Sequence, residues 1–131
     1  MDSRLRNAAI LFFVVAIGAW WARHTGWYNE YWFTDVILHL IAGAAFAYLY
    51  LWITRRERNS KWITALHIIA FATFGSVLWE FWEFAGWHIM PTHTRFYIPD
   101  LGDTLNDIFC GMTGSTMISL LELTRRQKVL K

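Results

Sequence analysis

Four long apolar runs divide the chain. They cover about residues 8–22, 34–53, 62–87 and 104–121, and polar or charged segments separate them. A helix needs roughly 20 predominantly apolar residues to cross the hydrocarbon core of a bilayer. The pattern therefore predicts an all-α protein, an integral membrane bundle of four transmembrane helices that forms one domain over residues 1–131.

The composition agrees with a membrane protein. The chain is 56% hydrophobic and only 17% charged, which is more apolar than a soluble domain of this size. The net charge of +2 and the lack of an RNA or DNA motif give no indication of a nucleic-acid partner. The single cysteine, Cys110, lies in an apolar run and is interpreted as a packing residue. We therefore expect membrane lipids, and no nucleic acid, as partners.

The lysines and arginines predict an orientation. Two lie near the N-terminus, four in the segment 55–61 and four in the C-terminal tail, which leaves Arg23 and Arg95 of the 12 for the other side. Positive residues collect in cytoplasmic segments of membrane proteins. We expect a multi-pass protein with both termini and the middle loop in the cytoplasm.

Ionisable residues occur in pairs at one end of three predicted spans. The pairs are Asp35 with His39, Glu80 with Glu83, and Asp103 with Asp107. Spacings of three or four residues place each pair on one face of its helix. Because the spans alternate in direction, all six residues fall at the outer end. The sequence therefore predicts that these six side chains converge just below the outer membrane surface.

Several carboxylates in one apolar site need compensation. One solution is a divalent ion such as Mg²⁺, Mn²⁺ or Zn²⁺, for which we take all six residues as candidate ligands. The other is that some carboxyl groups stay protonated and relay protons. The sequence leaves both solutions open.

Simpler interpretations apply to some of these residues and their neighbours. Asp103 is a good N-cap for the fourth span, and Asp100 lies in a Pro-Asp-Leu-Gly turn. Glu80 and Glu83 are close enough to a span end to reach interfacial water. The tryptophans are explained by an aromatic belt. His67 is interpreted as a packing or hydrogen-bonding residue, and His88 and His93 are interpreted as loop residues.

The combined motifs resemble a known family. They are Asp35-x-x-x-His39, Trp79-Glu-x-x-Glu83, Asp100-x-Gly-Asp-Thr104 and Asp107-x-x-x-Gly111-x-x-Gly114, within about residues 34–115. They are similar to the small bacterial inner-membrane proteins of the YjdF-like type and, more distantly, to VanZ-like proteins. This chain has Glu83 where glutamine is common in VanZ-like proteins. The resemblance implies a multi-helix protein of the bacterial inner membrane and specifies no reaction.

Three interpretations of the function fit these observations. The first is a metal-dependent hydrolase or transferase that acts on a lipid or lipid-linked envelope substrate, with Glu80 or Glu83 as the catalytic general base. The second is a cation-binding or proton-binding transport or accessory protein without catalysis. Because four helices are few for a transport pathway, this second function would require a homo-oligomer. A purely structural polar cluster is the third interpretation.

Overall fold

Five helices make up the described part of the chain. The computed structural model describes residues 1–55, 60–89 and 100–128. In these residues the helices are α1 (Ser3–Thr25), α2 (Trp27–Glu30), α3 (Phe33–Ile53), α4 (Lys61–Ile89) and α5 (Leu101–Lys128). The predicted all-helical bundle of four long helices is confirmed, and each helix is longer than its apolar run. Parts of the basic loop, the loop histidine His93, Arg95 and the end of the tail lie outside the described residues.

Local sequence explains the first helix boundaries. The Asp2 side chain accepts a hydrogen bond from the Arg4 N–H at 2.8 Å and caps the start of α1. Gly26 ends α1 with φ +79°, a left-handed conformation that favours glycine. The chain then turns into α2. This single turn of helix lies in the segment that separates the first two apolar runs.

The start of α5 corrects the predicted cap. Its first helical residue is Leu101, and the Asp100 side chain accepts a hydrogen bond from the Asp103 N–H at 3.0 Å. Asp100 is therefore the N-cap, and the interpretation of Asp103 as the cap is wrong. Asp103 instead lies in the first turn of the helix. The prediction for His88 is also wrong, because it lies inside α4 and its ring nitrogen is 2.8 Å from the Phe84 carbonyl oxygen.

Helix α3 is the centre of the bundle. It contacts α1, α4 and α5, and α4 also packs against α5. At one end of the bundle, the Arg4 guanidinium donates to the Leu51 carbonyl at 3.1 Å and contacts the Glu122 carboxylate at 3.3 Å. The start of α1 therefore lies beside the ends of α3 and α5, so α1 runs antiparallel to both.

Small residues form most of the interior, and large apolar residues face outward. The buried apolar residues include Ala45, Ala47 and Ala72, whereas Phe74 and Phe109 are among many exposed aromatic residues. A bundle in lipid has this arrangement because small side chains let helices approach, and lipid tails solvate the large ones. The exposed apolar surface is the surface that contacts lipid.

Within the described ranges, three helices are long and apolar enough to cross a membrane, namely Ser3–Thr25, Phe33–Ile53 and Lys61–Gly86. The fourth predicted span corresponds to α5, which has 28 residues and lower hydropathy than these three. Its buried face accounts for part of the difference, because this face carries Asp107, Ser115 and Ser119. Helix α5 thus buries these three polar residues, whereas its large apolar residues Leu105, Phe109 and Leu120 are exposed.

Candidate functional site

Two helices approach each other closely near the acidic residues. A Cβ atom at Gly43 of α3 would overlap the carbonyl group of Gly111 in α5, and one at Gly114 would overlap the Leu40 carbonyl. Only the absence of side chains at these glycines lets the two backbones come so close. We call the Gly43–Gly111 contact the glycine contact.

The glycine contact positions the first two site residues. His39 precedes Gly43 by four residues, and Asp107 precedes Gly111 by four residues, so each lies about one turn from the contact on the same helix face. The two helices run in the same direction, which brings His39 and Asp107 side by side. Asp35 lies one turn before His39 on α3, further from the glycine contact.

Three side chains form the centre of the site, which we call the Asp–His–Asp cluster: Asp35, His39 and Asp107. His39 Nε2 lies 3.5 Å from Asp35 Oδ1 and 3.8 Å from Asp107 Oδ2. One ligand atom from each residue lies within 4.8 Å of the other two. Ligand atoms about 2.1 Å from a tetrahedral ion are about 3.4 Å apart, so these separations are close to those of a metal site.

Burial makes Asp107 the most demanding member of the cluster. Its relative exposure is 0%, and neither carboxylate oxygen has a hydrogen-bond partner in the described part of the chain. Among the described residues, His39 is the one basic side chain within ion-pairing distance of Asp107, and it carries a charge only when its imidazole is protonated. A buried carboxylate without hydrogen bonds is costly. A cation or a proton bound to Asp107 would therefore reduce the free-energy cost of burying its carboxylate.

The remaining predicted residues surround the cluster at longer range. Glu80 lies near Thr104 of α5, within electrostatic range of His39 and Asp103, and its Oε1 atom is buried without a hydrogen-bond partner. Glu83 lies within electrostatic range of Asp35 and His39. The structure thus brings the glutamates near the cluster but not into the group of three close ligand atoms. Asp103 is likewise an outer neighbour.

Three further residues lie outside the Asp–His–Asp cluster. Ser76 is buried one turn deeper than Glu80, and its hydroxyl group lies against Gly111. Cys110 is buried and unbridged, as expected of a packing residue. His67 is far from the cluster and its Nδ1 atom is 3.0 Å from the Tyr50 hydroxyl oxygen. These residues support packing rather than the chemistry of the site.

Two residues near the site did not emerge from the sequence. Tyr28 of α2 is within electrostatic range of Asp35 and Glu83. Its burial, followed by these negative charges, raises the pKa of the phenol above the usual range, so Tyr28 remains a neutral hydrogen-bond donor. Thr34, the neighbour of Asp35, has a buried hydroxyl oxygen without a hydrogen-bond partner. The turn of the chain at Gly26 into α2 places Tyr28 here; Gly26 signals the end of α1, but no sequence motif predicts the single helical turn that follows.

The fold and the site define a helical membrane protein with an acidic and histidine-containing cluster between its helices. A family model described as Predicted membrane protein (DUF2238) matches residues 3–128. The chain belongs to this family, which is the YjdF-like family, and nothing in the match supports the more distant VanZ-like similarity. No curated protein and no solved structure matches the chain.

Proposed function

We propose that this protein is a metal-dependent hydrolase or transferase of the bacterial inner membrane that acts on a lipid or lipid-linked envelope substrate. The ion, Mg²⁺, Mn²⁺ or Zn²⁺, binds to Asp35, His39 and Asp107. The observation that supports this best is the Asp107 carboxylate, which is fully buried, lacks hydrogen bonds and faces two other ligand atoms. A cation at this point removes the cost of burying that charge.

The surrounding carboxylates supply the other roles. Glu80 and Glu83 lie on α4, outside the close group of ligand atoms, and one of them acts as the general base. A bound divalent ion lowers the pKa of a bound water and polarises a substrate oxygen. Asp103 and the glutamate that does not act as base complete the coordination or hold the substrate. Tyr28, a neutral donor near Asp35, is suited to bind a substrate oxygen.

The proposal includes the orientation of the protein in the membrane. With both termini in the cytoplasm, the starts of α3 and α5 and the last turns of α4 face the outer side of the membrane. The antiparallel packing of α1 on α3 supports this alternation, because the Arg4 end of α1 lies beside Leu51, near the end of α3. The cluster then lies at the level of the outer leaflet.

One observation favours a second function, a cation-binding or proton-binding protein without catalysis. His39 Nε2 lies within 4 Å of carboxylate oxygens of both Asp35 and Asp107. An imidazolium ion at this position compensates part of the negative charge without any metal. The same three residues then form a path along which protons move, and a transport role would require a homo-oligomer.

Metal analysis of the purified protein distinguishes the two functions. We expect about one transition-metal or magnesium ion per chain, and loss of that ion in His39→Ala because a ligand is removed. His88→Ala is the matched control, since His88 is exposed on α4 and lies outside the cluster. Equal metal content in wild type, His39→Ala and His88→Ala would count against the metal-dependent function and favour the proton-binding one.

A further inference from the structure

An apolar groove opens between α3 and α4 on the lipid-facing surface. Phe46 of α3 forms one side, and Phe71, Phe74, Leu78, Trp79 and Trp82 of α4 form the other. The cavity volume is about 310 Å³. At about 30 Å³ for a group the size of a water molecule, this volume holds roughly ten methylene groups. The groove thus has the capacity of a segment of one hydrocarbon chain.

Packing fixes the shape of the groove. The Phe46 ring makes edge contacts with Phe12 of α1, at a centroid distance of 5.0 Å, and with Phe71, at 6.1 Å. Gly75 provides the space for this ring, because a Cβ atom at Gly75 would come within 2.7 Å of it. These contacts hold Phe46 and Phe71 in place, so this part of the groove loses little entropy when a chain binds. The groove therefore differs from the convex surface that bulk lipid covers.

One end of the groove lies near the acidic residues. Trp79 lines the groove, and Glu83 follows it by four residues, which places the two side chains on the same face of α4. Glu83 in turn lies within electrostatic range of Asp35 and His39. A molecule whose chain lies along the groove has its other end beside these polar groups. An amphiphile has this combination of an apolar chain and a polar end.

We propose that this groove binds one hydrocarbon chain of a lipid and presents its polar end to the Asp–His–Asp cluster. The inference rests on the proposed function and specifies its substrate as a lipid that enters laterally from the bilayer. The chain is held by the aromatic walls, and the lipid does not have to leave the membrane to reach the cluster.

Photolabelling in vesicles tests the groove. The probe is a phosphatidylglycerol with a diazirine in its acyl chain, at low fraction in phosphatidylcholine vesicles that contain the purified protein. We expect labels concentrated on residues 71–82 and on Phe46, and competition by unlabelled phosphatidylglycerol. Labels spread evenly over exposed positions such as Phe109 would overturn the proposal, because they would indicate bulk lipid only.

Two matched variants test whether the labelled lipid lies in the groove. Leu78→Trp fills the groove and should lower labelling of residues 71–82 about tenfold, which corresponds to about 1.4 kcal/mol of binding free energy. Leu66→Trp makes the same substitution on an exposed face of α4 outside the groove and should label like wild type. Unchanged labelling in Leu78→Trp would overturn the proposal. If Leu78→Trp does not fold, Trp82→Ala, which removes one exposed wall, must lower the labelling instead.

The outcomes separate the groove from the metal-dependent function. Leu78→Trp should retain the metal content of wild type, because no cluster residue is changed. Specific labelling of a wild-type protein that binds no metal would refute the proposed function and leave the lipid site supported. Cross-links between two protein chains through residues 71–82, with a dimer on size-exclusion chromatography, would overturn the lipid proposal because a second copy would then cover the groove.

Discussion

Replacing Asp107 with asparagine removes one charge and keeps the size and shape of the side chain. Among the described residues, the carboxylate has 0% exposure, no hydrogen bond and one basic neighbour, His39, whose Nε2 atom is 3.8 Å away. The substitution therefore tests whether this charge exists to bind a cation. A packing cluster and a cation site predict opposite responses.

The magnitudes follow from the geometry. The attraction between an ionised Asp107 and a protonated His39 at 3.8 Å is about 4 kcal/mol at an effective dielectric constant of about 20. Burying a carboxylate costs several kcal/mol, so without a metal the two contributions largely cancel. Metal-free Asp107→Asn should thus have a stability within about 1 kcal/mol of wild type or above it, because an amide is cheaper to bury than an ion.

With a metal, the two proteins should differ clearly. Weakening of a metal site by loss of one supporting group is about 10-fold to 100-fold. At a metal concentration 100 times the dissociation constant, wild type gains about 2.7 kcal/mol, whereas a variant with 100-fold weaker binding gains only about 0.4 kcal/mol. A thermal melt should therefore shift upward by roughly 10 °C in wild type and by only about 1 °C in Asp107→Asn.

The assay is a set of melts with and without Mg²⁺, Mn²⁺ and Zn²⁺. Asp100→Asn is the matched control, because Asp100 is an exposed N-cap on the same helix and asparagine caps equally well. It should respond to metal as wild type does. An Asp107→Asn protein that is more stable than wild type and responds identically to every ion would refute the cation site.

Two further predictions concern the scaffold and the orientation. Gly43→Ala should destabilise the protein by about 1–3 kcal/mol and weaken metal binding, because the new Cβ overlaps the Gly111 carbonyl. Gly86→Ala, whose Cβ meets no atom within 4 Å, should be neutral or stabilising, and equal melts for the two variants would contradict the glycine contact. Reporter fusions after Lys131 and within residues 90–99 should report opposite sides of the membrane; the same side for both would remove the outer-leaflet placement of the cluster.

Residue spacing was sufficient to predict that Asp35, His39 and Asp107 lie close together. The spacing of four in Asp35-x-x-x-His39 and the position of Asp107 four residues before Gly111 put these groups on facing helix surfaces. Small residues at the helix interface then brought the surfaces together. The convergence of His39 and Asp107 was therefore predictable from local periodicity and one packing rule.

Helix boundaries were less predictable, for a physical reason. Both Asp100 and Asp103 have the side chain of a good N-cap, and Gly102 between them lowers the helix propensity of the first turn. The hydrogen bond from the Asp103 N–H to the Asp100 side chain identifies Asp100 as the cap. Composition and periodicity do not predict which of two neighbouring capping residues a helix uses.

Five of the six predicted residues divide according to the helices that carry them, whereas the sixth, Asp103, lies in the first turn of α5 but outside the group of three close ligand atoms. Asp35, His39 and Asp107 lie on α3 and α5, whose backbones are fixed against each other by the glycine contact. Glu80 and Glu83 lie on α4. The exposed Trp79 and Trp82 of the same helix line the apolar groove. A metal-binding group needs ligands held to within about 0.5 Å, whereas a general base must also meet the substrate. We therefore expect the rigid α3–α5 pair to bind the ion and α4 to bring the substrate and the base to it.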